Sequence, residues 1–74
     1  MTKIATYLLG WALVKATRQI YDYHTGKVYT RTMYEVIDHG YKVTSFVAEN
    51  DENAIEQFAR YLGRPLYLII RVEV

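Results

Sequence analysis

The most regular hydrophobic pattern in the chain lies in its last third. Apolar and polar residues alternate through residues 41–48, which predicts a β-strand with one buried face. After the polar segment 49–53, apolar side chains recur at the three- and four-residue spacing of a single helical face. They are Ala54, Ile55, Phe58, Ala59 and Leu62. The pattern therefore predicts a helix over residues 51–62.

Capping residues stand at both ends of this predicted helix. Asn50 or Asp51 can accept hydrogen bonds from the free N–H groups of the first turn. Gly63 can adopt the left-handed conformation that ends many helices, and Pro65 cannot continue one. We therefore expect the helix to begin at the polar segment and to end before Gly63.

The run after the helix, residues 66–74, is apolar and rich in β-branched residues, which predicts a strand. We expect this strand to be central or near-central in the sheet, because a strand that is apolar on both faces is usually covered on both. The residues expected under the helix are Leu66, Leu68, Ile70, Val72 and Val74. Those expected on the opposite face are Tyr67, Ile69, Arg71 and Glu73.

Residues 15–37 predict a long β-hairpin. A two-residue loop at Thr25 and Gly26 would place Tyr23 opposite Val28. The two strands then pair aromatic with β-branched side chains, which suits an antiparallel ladder. The residues expected on the other face of the hairpin are Arg18, Ile20, Asp22, Tyr29, Arg31, Met33 and Glu35.

The remaining segments complete a small sheet. A second turn at residues 38–40 leads into the strand 41–48, so the middle of the chain is a three-stranded meander. The N-terminal run 2–14 is apolar on both parities and satisfies strand and helix spacing alike. We favour a strand, because no cap or breaker separates this run from the hairpin. The predicted fold is a single α+β domain, residues 1–74, in the order β-β-β-α-β, with residues 2–14 as a further strand or helix.

Composition narrows the possible functions. The chain has 74 residues, no cysteine and 51% hydrophobic residues, so no disulfide or thiolate site can support its small core. We expect an unusually apolar core or self-association to compensate. Nine basic and eight acidic residues give a net charge of +1. That balance argues against a protein that coats a polyanion and against an acidic mimic of DNA.

The apolar run 4–14 raises the question of a membrane or signal segment. It is shorter than the roughly 20 residues that a transmembrane helix needs. Gly10 interrupts it, and no signal-peptide cleavage site follows it. We expect this run to be part of the core, the protein to be cytoplasmic and no membrane to be involved.

No combination of residues in the sequence indicates catalysis. His24 and His39 both lie in predicted turns, and neither has the spacing of a metal-ligand set. The sequence contains no nucleophile motif and no glycine-rich phosphate loop. We therefore expect a protein that is not an enzyme, with no cofactor and no metal.

One face of the predicted sheet is a candidate binding surface, because a single helix covers only one side. The side chains expected on this face are Tyr29, Arg31, Met33, Lys42, Phe46, Tyr67, Ile69 and Arg71. An apolar centre surrounded by aromatic and basic residues is typical of protein interfaces. We expect a non-catalytic regulator or inhibitor that binds a protein partner, with a second copy of the chain (a homodimer) among the candidates.

Other functions are compatible with the same surface. Small accessory proteins of phages and mobile elements, including inhibitors of host defence complexes, are often of this kind. Aromatic residues between lysines and arginines can also stack bases and hold phosphates. A single-stranded nucleic-acid-binding module that uses the same face is therefore the alternative. A third possibility is an enzyme subunit that acts only in a complex.

Overall fold

The computed structural model describes residues 2–72, which form a five-stranded sheet with one helix packed on one face. The elements are β1 (Thr2–Thr6), β2 (Trp11–Asp22), β3 (Lys27–Asp38), β4 (Tyr41–Phe46), α1 (Asp51–Leu62), a short 3₁₀ helix (Leu66–Leu68) and β5 (Ile70–Arg71). The strand order is β4-β3-β2-β1-β5, and all neighbours are antiparallel. The α+β class and the order of meander, helix and C-terminal strand are confirmed. Residues 2–14 form β1, a turn and the start of β2, so the run is strand and not helix, but it is two strands where one continuous strand was predicted.

Helix α1 begins and ends where the capping residues predicted. The side chain of Asn50 accepts a hydrogen bond of 2.8 Å from a backbone N–H of the first turn. Gly63 follows the last turn with a left-handed φ of 68°. The N–H groups of Gly63 and Arg64 donate to the carbonyl oxygens of Arg60 and Ala59, both at 3.1 Å. These two bonds are the Schellman motif, so the end of the helix is determined locally.

The core lies between α1 and the sheet face that the helix covers, which we call the helix face. Leu13 of β2 lies opposite Val36 of β3 on one side and opposite Ala5 of β1 on the other, and all three are 0% exposed. The buried residues of the helix are Ala54, Ile55, Phe58 and Ala59. The apolar stripe of α1 therefore packs on the central strands, as its spacing predicted.

The β2–β3 hairpin has a different register from the predicted one. The loop has four residues, 23–26, and Asp22 lies opposite Lys27. Tyr21, rather than Tyr23, therefore faces Val28. The Asp22 carboxylate accepts a hydrogen bond of 2.9 Å from a loop N–H, which stabilises the longer turn. The error is two residues, so every side chain of the hairpin still lies on its predicted face.

The prediction for the last strand is wrong in position and in orientation. The run 66–74 forms the 3₁₀ helix and then β5, which lies at the sheet edge beside β1. Ile69 is 9% exposed and joins the core, whereas Ile70 is 64% exposed, so the predicted faces are inverted. Both parities of the run are apolar, so the pattern could not determine which of them meets α1. Glu73 and Val74 of the predicted strand lie outside the described residues.

The β2–β3 hairpin extends beyond the rest of the sheet. Strand β1 pairs with β2 only as far as Lys15, and β4 pairs with β3 only from Tyr34 onwards. The rungs from Thr17 opposite Thr32 to the loop therefore form a two-stranded ribbon, which we call the arm (residues 17–32). The described part of the molecule is correspondingly elongated, with extents of 43 × 24 × 23 Å.

Candidate binding face

Helix α1 leaves one side of the sheet uncovered, and we call that side the open face. Because side chains alternate between the two faces of a strand, the ladder pairs assign each residue to a face. The open face includes Thr6, Ala12, Val14, Arg18, Ile20, Tyr29, Arg31, Met33, Glu35, Ile37, Lys42 and Ile70. It combines apolar side chains at one end of the sheet with charged and aromatic side chains along the arm.

The apolar end of the open face is a groove of about 780 Å³. Its walls include Leu8, Leu9, Val14, Ile37, Leu68 and Ile70. Leu9 is 97% exposed, and Leu8 is 63% exposed. Among the described residues, Lys3 is the only charged side chain that lines the groove. A connected set of exposed large aliphatic side chains with a single charge is a surface for apolar contact.

The turn that carries the two leucines is held by the neighbouring turn. Gly10 has a φ of +97°, and a Cβ at this position would lie 2.8 Å from the ring of His39. The N–H of His39 donates to the carbonyl oxygen of Gly10 at 2.8 Å, and the N–H of Trp11 donates to that of Leu8 at 3.0 Å. The β1–β2 turn thus packs on the β3–β4 turn, which positions Leu8 and Leu9 at the edge of the groove.

The arm carries two arginines on the open face. Arg18 of β2 lies directly opposite Arg31 of β3. An Arg18 nitrogen (Nη2) is 3.9 Å from Oε1 of Glu35, a carboxylate that is only 7% exposed. Within residues 2–72, no carboxylate lies within ion-pairing distance of Arg31. Like charges directly across a ladder destabilise it, so this pair has no evident structural benefit.

The two sides of the sheet differ in their balance of basic and acidic side chains. In the described residues, the basic side chains of the open face are Lys3, Arg18, Lys27, Arg31 and Lys42, and the acidic ones are Asp22 and Glu35. On the other side of the sheet, Asp51, Glu52 and Glu56 of α1 are balanced by Arg60 on the helix and by Lys15 and Arg71 on the strands. The open face is therefore basic, although the whole chain is close to neutral.

A polar cluster ties the start of α1 to the sheet. The Tyr34 hydroxyl donates to Oδ1 of Asp51 at 2.8 Å, and Nζ of Lys15 is 3.1 Å from the same oxygen. Burial and the hydrogen bond to Asp51 raise the pKa of Tyr34 to about 12. The hydrogen bonds from Tyr34 and Lys15 lower the pKa of Asp51. An ion pair with Arg71 lowers the pKa of Glu52. Each group has a partner within the protein, which is the arrangement of a structural tie between helix and sheet.

Four of the eight predicted binding residues lie together on the open face. Tyr29, Arg31 and Met33 follow one another on alternate positions of β3, and Lys42 pairs with Ile37 at the other end. Tyr29 is half exposed and Met33 is partly buried. The structure thus brings these four residues to one side of the sheet, as the hairpin pattern predicted.

The other four predicted residues do not belong to this face. Phe46 pairs with Tyr34 on the helix face, where their rings stack with centroids 6.0 Å apart. Ile69 is in the core, and Arg71 lies beside α1. Tyr67 is in the 3₁₀ helix and is 84% exposed. The prediction of one shared face is wrong for these residues, because it assumed a regular strand over 66–74 and a regular β4. The register shift between Val36 and Ile37 in the β3–β4 ladder instead puts Phe46 on the opposite face from Lys42.

Sequence reasoning missed the residues of the groove. Leu8 and Leu9 were assigned to the core, and Leu68 and Ile70 were assigned to the side under the helix. Gly10 was the available signal, because a glycine after two leucines indicates a turn, and turns lie at the surface. The positions of Leu68 and Ile70 had no comparable signal, since they depend on the 3₁₀ turn.

Two structural properties of residues 2–72 and three comparisons with known proteins add little to the functional interpretation. No group of three or more His, Cys, Asp or Glu residues within residues 2–72 is arranged to hold a metal ion. In the same part of the chain, no helix has the length and apolar character needed to cross a membrane. Comparison with protein families, with curated proteins and with solved structures gave no match. The surface of this chain itself is therefore the only basis for inferring its function.

Proposed function

We propose that this protein is a small non-catalytic protein-binding domain that acts as a regulator or inhibitor by covering a surface of its partner. The open face is the binding surface. The observation that carries this proposal is the groove, where Leu8, Leu9 and Ile70 are mostly exposed beside one another. Exposed aliphatic side chains of this size, grouped on one side of a sheet, are characteristic of protein interaction sites.

A second copy of the chain is the partner that suits the groove best. Only Lys3 among the described lining residues is charged, so two grooves can approach each other without strong repulsion. Neither arginine of the arm lines the groove, so contact between two grooves brings no further basic side chain into the interface. A chain of 74 residues without cysteine also gains stability from association.

The expected dimer is weak. Leu8, Leu9, Leu68 and Ile70 are between 42% and 97% exposed. Complete burial of one such side chain contributes about 1.5–3 kcal/mol, so burying all four on both copies contributes on the order of 10 kcal/mol. Association costs roughly 4–15 kcal/mol. At the low end of that cost, the dissociation constant is on the order of 10–100 μM.

Sedimentation equilibrium at protein concentrations between about 5 and 500 μM tests the proposal, because this range brackets the expected dissociation constant of the dimer. We expect the parent to approach a dimer mass at the upper end. Ile70→Asp should remain monomeric, because it places a charge in the groove. Tyr23→Asp is the matched control, since Tyr23 is 88% exposed in the loop of the arm, at the other end of the molecule. Self-association through the groove would be contradicted if the parent is monomeric at every concentration. It would also be contradicted if Tyr23→Asp loses as much dimer as Ile70→Asp.

Single-stranded nucleic-acid binding is the second candidate. The excess of basic side chains on the open face, with Tyr29 between Arg31 and the arm loop, supports it. Binding of this kind weakens steeply as salt rises, because counterions are released from the phosphates. Dimerisation through an apolar groove should change little over the same range of salt. Titration of a labelled oligonucleotide at two salt concentrations therefore separates the two candidates.

A further inference from the structure

We infer that the arm is a carboxylate-binding element, in which Arg18 and Arg31 together hold an acidic segment of a protein partner. This inference depends on the proposed protein-binding function, but it does not depend on self-association through the groove. The arm and the groove lie at opposite ends of the open face, so each can be tested while the other is unchanged.

The opposed arginines indicate that a ligand supplies the missing charge. Residues directly opposite each other in an antiparallel pair have Cβ atoms about 4.5–5.5 Å apart, so the two guanidinium groups can reach a common anion. Glu35 offers Arg18 a distance of 3.9 Å, which is at the limit of an ion pair. Arg31 has no carboxylate at such a distance within residues 2–72. The pair is therefore unbalanced in the isolated chain.

The neighbouring residues favour a peptide ligand. Ile20 opposite Tyr29 forms the next rung towards the loop, and Ala16 opposite Met33 forms the next rung towards the body of the sheet. The arginines thus lie between two apolar or aromatic rungs. A guanidinium group binds a carboxylate through two parallel hydrogen bonds, and less water at the site strengthens them. An extended segment with an acidic residue and an apolar residue two positions away on either side matches this order of rungs, because residues two apart share a face.

The distribution of charge argues for a protein partner over a nucleic acid. A phosphate backbone requires a row of basic groups along its path. On the arm, Lys27 lies opposite Asp22, which offsets its charge, and Glu35 stands beside Arg18. The other basic residues of the face are in the body of the sheet, where Lys3 lines the groove and Lys42 pairs with Ile37. Two arginines next to a carboxylate suit one or two carboxylate ligands.

An NMR titration of the full chain tests this inference directly. The probe is the synthetic peptide acetyl-Leu-Ser-Glu-Ser-Leu-amide, whose glutamate and two leucines share a face when the chain is extended, and the control peptide carries glutamine in place of the glutamate. We expect the side-chain Nε–Hε signals of Arg18 and Arg31 to shift along a saturable curve with the glutamate peptide only. The corresponding signals of Arg60 and Arg64, which lie outside the open face, should not move. Equal shifts at all four arginines, or with the glutamine peptide, would overturn the inference.

Two variants determine whether the arginine pair is the binding element. Arg31→Gln should raise the dissociation constant of the glutamate peptide about fivefold, which corresponds to the loss of one favourable exposed ion pair. Arg64→Gln, an exposed arginine that follows α1, is the matched control and should have no effect. Arg31→Gln should also be at least as stable as the parent, because it removes a like-charge contact. A variant that binds the peptide as tightly as the parent would exclude this role for Arg31.

The outcomes of the two proposals are distinguishable. A parent that dimerises but does not bind the glutamate peptide would overturn the carboxylate site and leave the proposed function in place. A parent that binds the peptide but stays monomeric would support the site and contradict self-association. A thymidine oligonucleotide of equal charge serves as a further probe at the same ionic strength. Tighter binding of this oligonucleotide than of the peptide would assign the arm to nucleic acid and overturn the inference.

Discussion

Tyr34→Phe is the substitution for which the structure makes the most specific prediction. Tyr34 is 2% exposed on β3, and its hydroxyl donates to Asp51 at the start of α1. Phenylalanine keeps the ring in the core and removes only the hydroxyl. The substitution therefore separates the tie between helix and sheet from the packing around it.

At neutral pH we expect the variant to unfold about 1 kcal/mol more easily than the parent. A hydrogen bond to a charged group typically contributes about 1.5–3 kcal/mol to stability. The Asp51 side chain is 49% exposed, so water and Lys15 can satisfy the carboxylate after the hydroxyl is lost. For that reason the expected loss lies below this range.

At alkaline pH the order of stability should reverse. An acid whose pKa is higher in the folded state than in the unfolded state stabilises the fold below its unfolded pKa, and this contribution is lost as the pH rises through its folded pKa. Tyr34 has its pKa raised from 10.0 to about 12. Between pH 10 and pH 12 the parent should lose at most about 2–3 kcal/mol that the variant, which lacks this ionisable group, does not lose.

At acid pH the difference between the two proteins should become smaller. The hydrogen bond from Tyr34 is the largest cause of the lowered pKa of Asp51. A carboxylate with a lowered pKa stabilises the fold above its unfolded pKa, and the contribution is lost as the pH falls through its folded pKa. The advantage of the parent should therefore decrease as the pH falls below the ordinary pKa of an aspartate, because Asp51 then binds a proton in the unfolded state before it does so in the folded state.

Urea unfolding of both proteins at pH 3, 7 and 11.5 measures these differences. Far-UV circular dichroism reports the loss of structure, and fluorescence of Trp11, which packs against the core, is a second probe. All other ionisable groups are the same in both proteins, so their effects cancel in the difference. If the difference in the free energy of unfolding is the same at all three values of pH, the reasoning about the Tyr34–Asp51 contact is refuted.

Two further substitutions test the packing and the capping of α1. Phe58 is 0% exposed in the core, so Phe58→Ala should lower the free energy of unfolding by about 3–5 kcal/mol. If urea unfolding shows a loss of less than about 1 kcal/mol, the ring is not a core contact. Gly63 has a left-handed φ and open space around its Cα, so Gly63→Val should destabilise through backbone strain alone. Asparagine tolerates this φ, so Gly63→Asn should lose less stability than Gly63→Val in the same urea melt. Equal stability of the two variants would contradict the explanation by backbone strain.

Local chemistry was sufficient to predict α1 and the faces of the hairpin. The cap at Asn50, the glycine at 63 and the apolar stripe act within a few residues, so the sequence alone located both ends of the helix. The alternation along β2 and β3 placed Arg18 and Arg31 on one face despite the error in register, because a shift of two residues preserves the side of every side chain.

The hydrophobic periodicity of the sequence did not reveal two parts of the binding surface. The turn at Leu8 and Leu9 lies inside an apolar run that reads as continuous, and the contact between Gly10 and His39 that organises it joins residues far apart in the chain. Likewise, Leu68 and Ile70 reach the open face because the 3₁₀ helix changes the phase of a run that is apolar on both parities.

The sequence by itself determined the α+β class, the helix with its caps, the meander and the face of each hairpin residue, because these depend on short-range periodicity and capping. Only the tertiary structure decided that β5 is a short edge strand beside β1, that Ile69 is buried and Ile70 exposed, and that the open face carries a groove at one end and two opposed arginines at the other. The physical reason is that strand order and the choice between two equally apolar faces depend on contacts between distant segments, and these contacts leave no periodic signal in the sequence.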